Sequence, residues 1–141
     1  MVRKILTSKS LKRSHAIING YRSGLEETVS QELTSKGVGF SYEKLKIAYT
    51  EPSKSHKYTP DFVLENGIII ETKGRFVTAD RRKHLQVKDQ HPELDIRFVF
   101  SNSKSRISKL SSTTYAMWCE KYGFKFADRT IPDAWLKEKK T

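Results

Sequence analysis

The amino-acid sequence predicts a small α/β domain, a mixed β-sheet flanked by helices, on three observations. A capped helix is legible from Ser23 to Gly37. Two strands then flank the dipeptide Asn66-Gly67, and the second, Ile68-Ile69-Ile70, is apolar on both faces, as a strand in mid-sheet is. Beyond it, helical and strand-like stretches alternate to the C-terminus, with no internal repeat and no low-complexity segment. The 141 residues suit one domain. A chain of that size buries roughly 70% of its unfolded surface, enough to hold a core without disulfides or a structural metal.

Residues 1–20 read as a flexible basic arm, and 21–141 as a single domain. The arm carries Arg3, Lys4, Lys9, Lys12 and Arg13 and no acid, and is expected to order on nucleic acid, with a frayed terminus of no role as the alternative. Ser23-Gly24-Leu25-Glu26 matches a capping box, Leu25, Val29 and Leu33 then share a helix face, and Gly37 ends it. Phe40 to Tyr49 reads as a strand or extended connector, and Thr50 to Pro60 as a loop. Asn66-Gly67 predicts a two-residue hairpin turn with positive φ at both positions. Thr78 is placed to cap a helix over Ala79 to Gln90 that Pro92 stops. Asp95 to Phe100 is a strand; Thr113 or Thr114 caps a helix through Tyr122 that Gly123 ends. A short strand, Phe124 to Phe126, and a last helix with Pro132 in its first turn complete the chain. Trp118 and Trp135 fall in helical patterns and are expected in the core. Cys119, the only cysteine, reads as a packed thiol, and its solitude excludes an intrachain disulfide and points to a reducing, cytoplasmic setting. No apolar run of the length of a membrane span or signal peptide is present.

Charge supplies the first functional indication. Lys and Arg number 27 against 16 Asp and Glu, a net charge of +11. Such an excess draws polyanions and speeds encounter with them, which nominates nucleic acid as a partner but specifies no chemistry.

The chemistry lies in Pro60-Asp61 and Glu71-Thr72-Lys73. The turn joins the far ends of their two strands, so Asp61 and Glu71 return side by side, and Glu71 and Lys73, two apart, share a face. Two carboxylates, with the main-chain carbonyl of Thr72, form a hard-oxygen set suited to Mg²⁺, and a lysine beside them can orient a water or stabilise a phosphorane-like transition state. Taken singly, Asp61 could close a turn, and Glu71 and Lys73 could be a solvated charge pair. The basic groups Arg75, Arg81, Arg82 and Lys83, and a second set at Lys104 and Arg106, are candidate phosphate contacts, with solvated charge as the alternative. His56, His84 and His91 lack ligand spacing and read as surface side chains, so zinc is not expected.

Through Pro60-Asp61 and Glu71-Thr72-Lys73 the sequence resembles the PD-(D/E)xK nuclease superfamily. Over longer stretches it resembles the bacteriophage endonuclease I family: Tyr21-Arg22-Ser23-Gly24-Leu25-Glu26, Tyr58-Thr59-Pro60-Asp61-Phe62, Glu71-Thr72-Lys73-Gly74, Lys83-His84-Leu85, Gln90 through Arg97, Phe126-Ala127-Asp128 and Ile131-Pro132. The likeness spans about residues 21–138 and leaves the arm outside it. It implies a restriction-endonuclease-like core and a metal-dependent endonuclease that resolves four-way and other branched DNA. It further implies two Mg²⁺ or Mn²⁺ ions per active site, and a phage protein working in the cytoplasm of its bacterial host. It adds Glu26 to Asp61, Glu71 and Lys73 as a fourth catalytic residue and second-metal ligand, although spacing alone makes Glu26 a capping-box glutamate. Arg22, in the same motif, joins the candidate DNA contacts. The resemblance also implies a domain-swapped homodimer in which residues 40–50 bridge the chains and the helix bearing Glu26 completes the partner's site. A single chain should then leave Glu26 far from Asp61. The rivals are a repair or restriction-like nuclease acting on linear duplex, and a non-catalytic basic nucleic-acid-binding protein.

Overall fold

A computed structural model describes residues 20–51 and 54–140, so the candidate contacts Arg3, Lys4, Lys12 and Arg13 lie outside the described residues. The first helix, α1 (Gly24–Ser35), begins as expected: the Ser23 hydroxyl accepts from the Glu26 N–H. Gly37, at φ 67°, ends it while Val38 N–H reaches back to Leu33 O at 3.0 Å. The strands β1 (Phe40–Tyr42), β4 (Phe62–Leu64), β5 (Ile69–Lys73), β6 (Ile96–Phe100) and β7 (Lys125–Asp128) form a five-stranded sheet in the order β1-β4-β5-β6-β7. β1, β4 and β5 pair antiparallel, and β5, β6 and β7 pair parallel. The two parallel crossovers carry α2 (Thr78–Gln90) and α3 (Tyr115–Tyr122), and α4 (Asp133–Lys137) closes the chain. The mixed sheet flanked by helices is thus the architecture the sequence predicts.

Alternation along β5 and β6 divides the apolar side chains between two cores. Ile69, Phe98 and Phe100 face α2 and α3, joined by Phe76, Val87, Trp118 and Phe124. Ile70 and Val99 face α1 and the C-terminal segment, with Val29, Leu33, Phe62, Ile131 and Trp135. Both tryptophans and Cys119 are buried, as expected.

Several local expectations are corrected. Residues 50–60 are not one loop: β2 (Ile47–Glu51) and β3 (Lys54–Tyr58) pair as a separate antiparallel hairpin packed on the first core. Of the two readings of Phe40 to Tyr49, a strand or an extended connector, one continuous strand is not formed, since the chain breaks after β1 at Glu43, which sits at φ 50°. At the β4–β5 turn only Gly67 has positive φ, 90°. Gly67 N–H donates to Leu64 O at 2.9 Å and Leu64 N–H to Ile68 O at 2.8 Å, a three-residue loop. Asn66 instead uses its amide to hold Trp135 O and Glu138 O at 2.9 and 3.0 Å. Thr78 lies inside α2, whose N-cap is Val77, and its hydroxyl accepts from Arg81 Nη2.

The C-terminal segment is held down by Arg97, a buried guanidinium in β6. It makes paired bonds to Asp95 (2.9 and 2.7 Å) and Glu138 (2.9 and 2.7 Å) and lies over the Trp135 ring, 5.2 Å from its centroid. Arg97→Ala removes the stack and leaves two carboxylates unpaired, and is expected to lower the unfolding free energy by about 2 kcal/mol in urea titrations. An unchanged midpoint and slope would refute the latch.

Candidate active site

The register of β4 on β5, Phe62 opposite Ile70, carries Asp61 to a position opposite Glu71 at the sheet's edge. The juxtaposition is realised by hydrogen bonds. Asp61 Oδ2 accepts from the N–H and hydroxyl of Thr72, each at 2.9 Å, and Glu71 Oε1 accepts from Asp61 N–H at 3.3 Å and from the Tyr58 hydroxyl. Lys73 Nζ stands 3.9 Å from Glu71 Oε2 and 3.5 Å from Asp80 on α2. Among the described residues, Asp61 Oδ1 and Glu71 Oε2 accept no hydrogen bond. Each carboxylate therefore has one oxygen fixed by neutral donors and one still available.

α1 brings Glu26 to the same edge. One carboxylate oxygen from each of Glu26, Glu43 and Asp61 lies within 4.8 Å of the others. This overturns the expectation that one chain leaves Glu26 far from Asp61: α1 and β1 fold onto β4 of their own chain. Glu26 also has a local role, though not quite that of a capping box. Its Oε2 accepts from Arg22 N–H at 3.3 Å and from the Tyr42 hydroxyl, where a capping box would return it to the N-cap residue itself. Glu43 is paired with Arg22 at 3.3 Å.

Burial and mutual repulsion disfavour ionisation of the carboxylates at this edge. Burial first, then the charge of Asp61, pushes Glu71 up to about 8, against the pull of Lys73 and the Tyr58 hydroxyl. Burial likewise raises Asp61, opposed by the Thr72 N–H, and raises Glu26, opposed by the Tyr42 hydroxyl. Carboxylates this close, in a site this dry, resist ionising together.

A family model for phage endonuclease I matches residues 6–141. The chain belongs to the phage endonuclease I family. Curated relatives agree. It is 54% identical to endonuclease I of Escherichia phage T7 over 123 residues, 87% of this chain and 83% of that one. It is 57% identical to endodeoxyribonuclease 1 of Enterobacteria phage T3 over 120 residues, 85% and 79% of the two. Membership makes this chain an endonuclease. The match reaches residue 6 and so enters the basic segment that the motif likeness left outside.

Within this family member the structure gathers Glu26, Asp61, Glu71, Thr72 and Lys73 at one edge. It distributes the candidate DNA contacts unevenly. Arg22, Arg75, Arg82, Lys104 and Arg106 are exposed, with Arg22 paired to Glu43. Lys83 is half-buried over the Tyr58 ring. Arg81 is turned inward, its guanidinium on Phe76 O, Ile107 O and Thr78 Oγ1, which ties α2 to the segment before α3.

Sequence reasoning missed Tyr58, Asp80 and His84. The reading of His84 as a surface side chain is wrong: it is fully buried beneath Glu71. Helical spacing carried the signal, because Asp80, His84 and Val87 share one face of α2. That helix has so few apolar residues that the histidine has to contribute to its buried stripe.

Proposed function

We propose that this endonuclease hydrolyses phosphodiester bonds in branched DNA, chiefly four-way junctions, using a divalent cation held by Asp61 and Glu71. The observation that carries this is the pairing of two largely buried carboxylates across β4 and β5, each with one oxygen fixed and one uncommitted. The donor set fits Mg²⁺ or Mn²⁺: all the ligand atoms are hard oxygens, and a cation would offset the burial and the Asp61 repulsion that raise Glu71. Asp61, Glu71 and the Thr72 carbonyl would hold one ion, and Glu26 with Asp61 a second. When bound, such ions acidify a water and neutralise charge building on the phosphoryl oxygens.

The chain's own residues do the rest. Thr72 N–H and hydroxyl pin Asp61, and Tyr58 and Asp61 N–H pin Glu71, so neither carboxylate reorganises as charge develops. Lys73, held between Glu71 and Asp80, places its ammonium where it can orient the attacking water or stabilise the transition state. Arg22, Arg75, Arg82, Lys83, Lys104 and Arg106, with the N-terminal Arg3, Lys4, Lys12 and Arg13, would engage phosphates. Such contacts recognise a junction by the position of its backbones rather than by base sequence.

The same reading includes a restriction-endonuclease-like core and a domain-swapped homodimer in which residues 40–50 bridge the chains and α1, bearing Glu26, completes the partner's site. Domain swapping preserves a contact while changing which chain supplies it, so the Glu26–Asp61 proximity within one chain suits either form. Glu43, at φ 50°, a conformation L side chains rarely adopt, lies in that bridging segment, where a swap would let it relax. In solution the protein should run at twice its 16.3 kDa. Work in the host cytoplasm is part of the same reading, supported by the phage source of the relatives and the free thiol; no helix among the described residues is long and apolar enough to cross a membrane.

The test is cleavage of an end-labelled four-way junction and a matching linear duplex, with Mg²⁺ and with EDTA. Paired cuts on the junction alone, lost in EDTA, support the proposal. Equal cutting of linear duplex favours a repair-type or restriction-like nuclease, and binding without cutting leaves only a junction-binding protein.

A further inference from the structure

Among the described residues, His84 is a buried side chain that the site as described above leaves unexplained. It is fully buried in α2, and neither ring nitrogen has a hydrogen-bond partner. Aromatic rings enclose it: Tyr58 and Phe98 meet it edge-on, with centroids at 5.2 and 4.9 Å, and Phe76 lies at 6.4 Å. A phenylalanine or leucine would fill that nest without the cost of roughly 1–3 kcal/mol that an unsatisfied buried polar group carries. Such a group in a folded core calls for an account.

Its surroundings point to one. Nε2 lies 4.0 Å from Glu71 Oε2, the oxygen that accepts no hydrogen bond, while Tyr58 already donates to Oε1. About one ångström separates that contact from hydrogen-bond range. An imidazole carries at least one ring N–H whatever its protonation state, so it has a donor to give.

We propose that His84 is a positioning residue: its Nε2–H and the Tyr58 hydroxyl grip opposite oxygens of Glu71 and set the lone pair the carboxylate turns toward a bound cation. The inference rests on the cation-binding reading of Glu71 above. It follows the general pattern that carboxylates which bind metals are themselves hydrogen-bonded, and that such outer donors tune affinity without touching the ion.

The test uses Mn²⁺ alone, titrated calorimetrically into the wild type, Glu71→Gln, His84→Phe and His84→Gln, with a thermal melt of each metal-free protein. Phe keeps the aromatic packing and removes the donor; Gln restores a donor at similar reach. His84→Phe is expected to melt no lower than wild type yet bind Mn²⁺ about 10–100-fold more weakly, and His84→Gln to recover most of the loss. A folded His84→Phe with wild-type affinity overturns the inference while leaving the cation site standing. Absence of Mn²⁺ binding by wild type, or undiminished binding by Glu71→Gln, overturns the reading of Glu71 beneath it. Should His84→Phe fail to fold, the imidazole ¹⁵N–¹H spectrum of the wild type decides. An Nε2–H tautomer whose proton moves downfield on adding Mg²⁺ supports the grip, and an Nδ1–H tautomer excludes it.

Discussion

Glu71→Gln is expected to slow junction cleavage by roughly 10³-fold or more while leaving junction binding within a few-fold of wild type. Removing one preorganised electrostatic group from a catalytic centre commonly costs roughly 10²–10³, and losing a cation ligand adds to that. Gln fills the same volume between Tyr58, Asp61 and Lys73, and its carbonyl can still accept from the Tyr58 hydroxyl, so fold and register of β5 survive. What disappears is the charge that complements the cation. Affinity for the junction is expected to rest on a different set of groups, the exposed basic side chains of a chain carrying +11. Single-turnover cleavage in Mg²⁺, with gel shifts in Ca²⁺, separates the two. A variant that cuts within a few-fold of wild type would remove Glu71 from the chemistry, and one that binds far more weakly would show that the carboxylate orders the DNA-binding surface as well.

How much of this was legible in the sequence depended on the range of the interaction that decides each element. Local signals were sufficient for α1, whose serine cap and terminal glycine are chemical instructions within a few residues, and for β5, whose apolar run marks a strand covered on both faces. The hairpin made the nearness of Asp61 and Glu71 legible but not their register: a two-residue Asn66-Gly67 turn would set Asp61 opposite Thr72, and the three-residue loop sets it opposite Glu71. The β2–β3 hairpin was not legible: β3 is mostly polar and charged, and the strands are decided by packing Ile47, Tyr49 and Tyr58 on a core built by distant segments. His84 failed for the same reason, since nothing adjacent to it declares that α2 lies across β5 and β6. Glu26 shows the limit from the other side. Its cap geometry was visible, yet its proximity to Asp61 depends on where the turn after β1 sends the chain.

The second large effect concerns the metal-free protein, which is expected to lose stability as pH rises from about 6.5 to 8. Glu71 is raised from its ordinary 4.5 to about 8, mainly by burial. Between those values the folded state keeps a proton that the unfolded state has released, so the slope of unfolding free energy with pH is negative, and stability is lost as pH climbs toward 8. Asp61 and Glu26, also raised by burial, add the same sign at lower pH. His84 opposes them. Its folded affinity for a proton is depressed below the ordinary 6.5, so below that pH the unfolded state binds the extra proton and stability rises with pH. The two trends offset each other from about 4.5 to 6.5, and the loss from Glu71 is unopposed above it, amounting on the order of a few kcal/mol. Thermal melts in EDTA across this range should therefore show a falling limb at neutral pH that Glu71→Gln abolishes. His84→Phe should extend that limb toward pH 5 by removing the opposing proton. Added Mg²⁺ selects the ionised carboxylate, so its stabilisation should grow with pH and reverse the limb. A metal-free melting temperature that rises steadily from pH 6.5 to 8, or a limb that persists in Glu71→Gln, would show that Glu71 is ionised in the empty site. The carboxylates would then tolerate each other at this edge without a cation, and the physical case for a cation between them would fall.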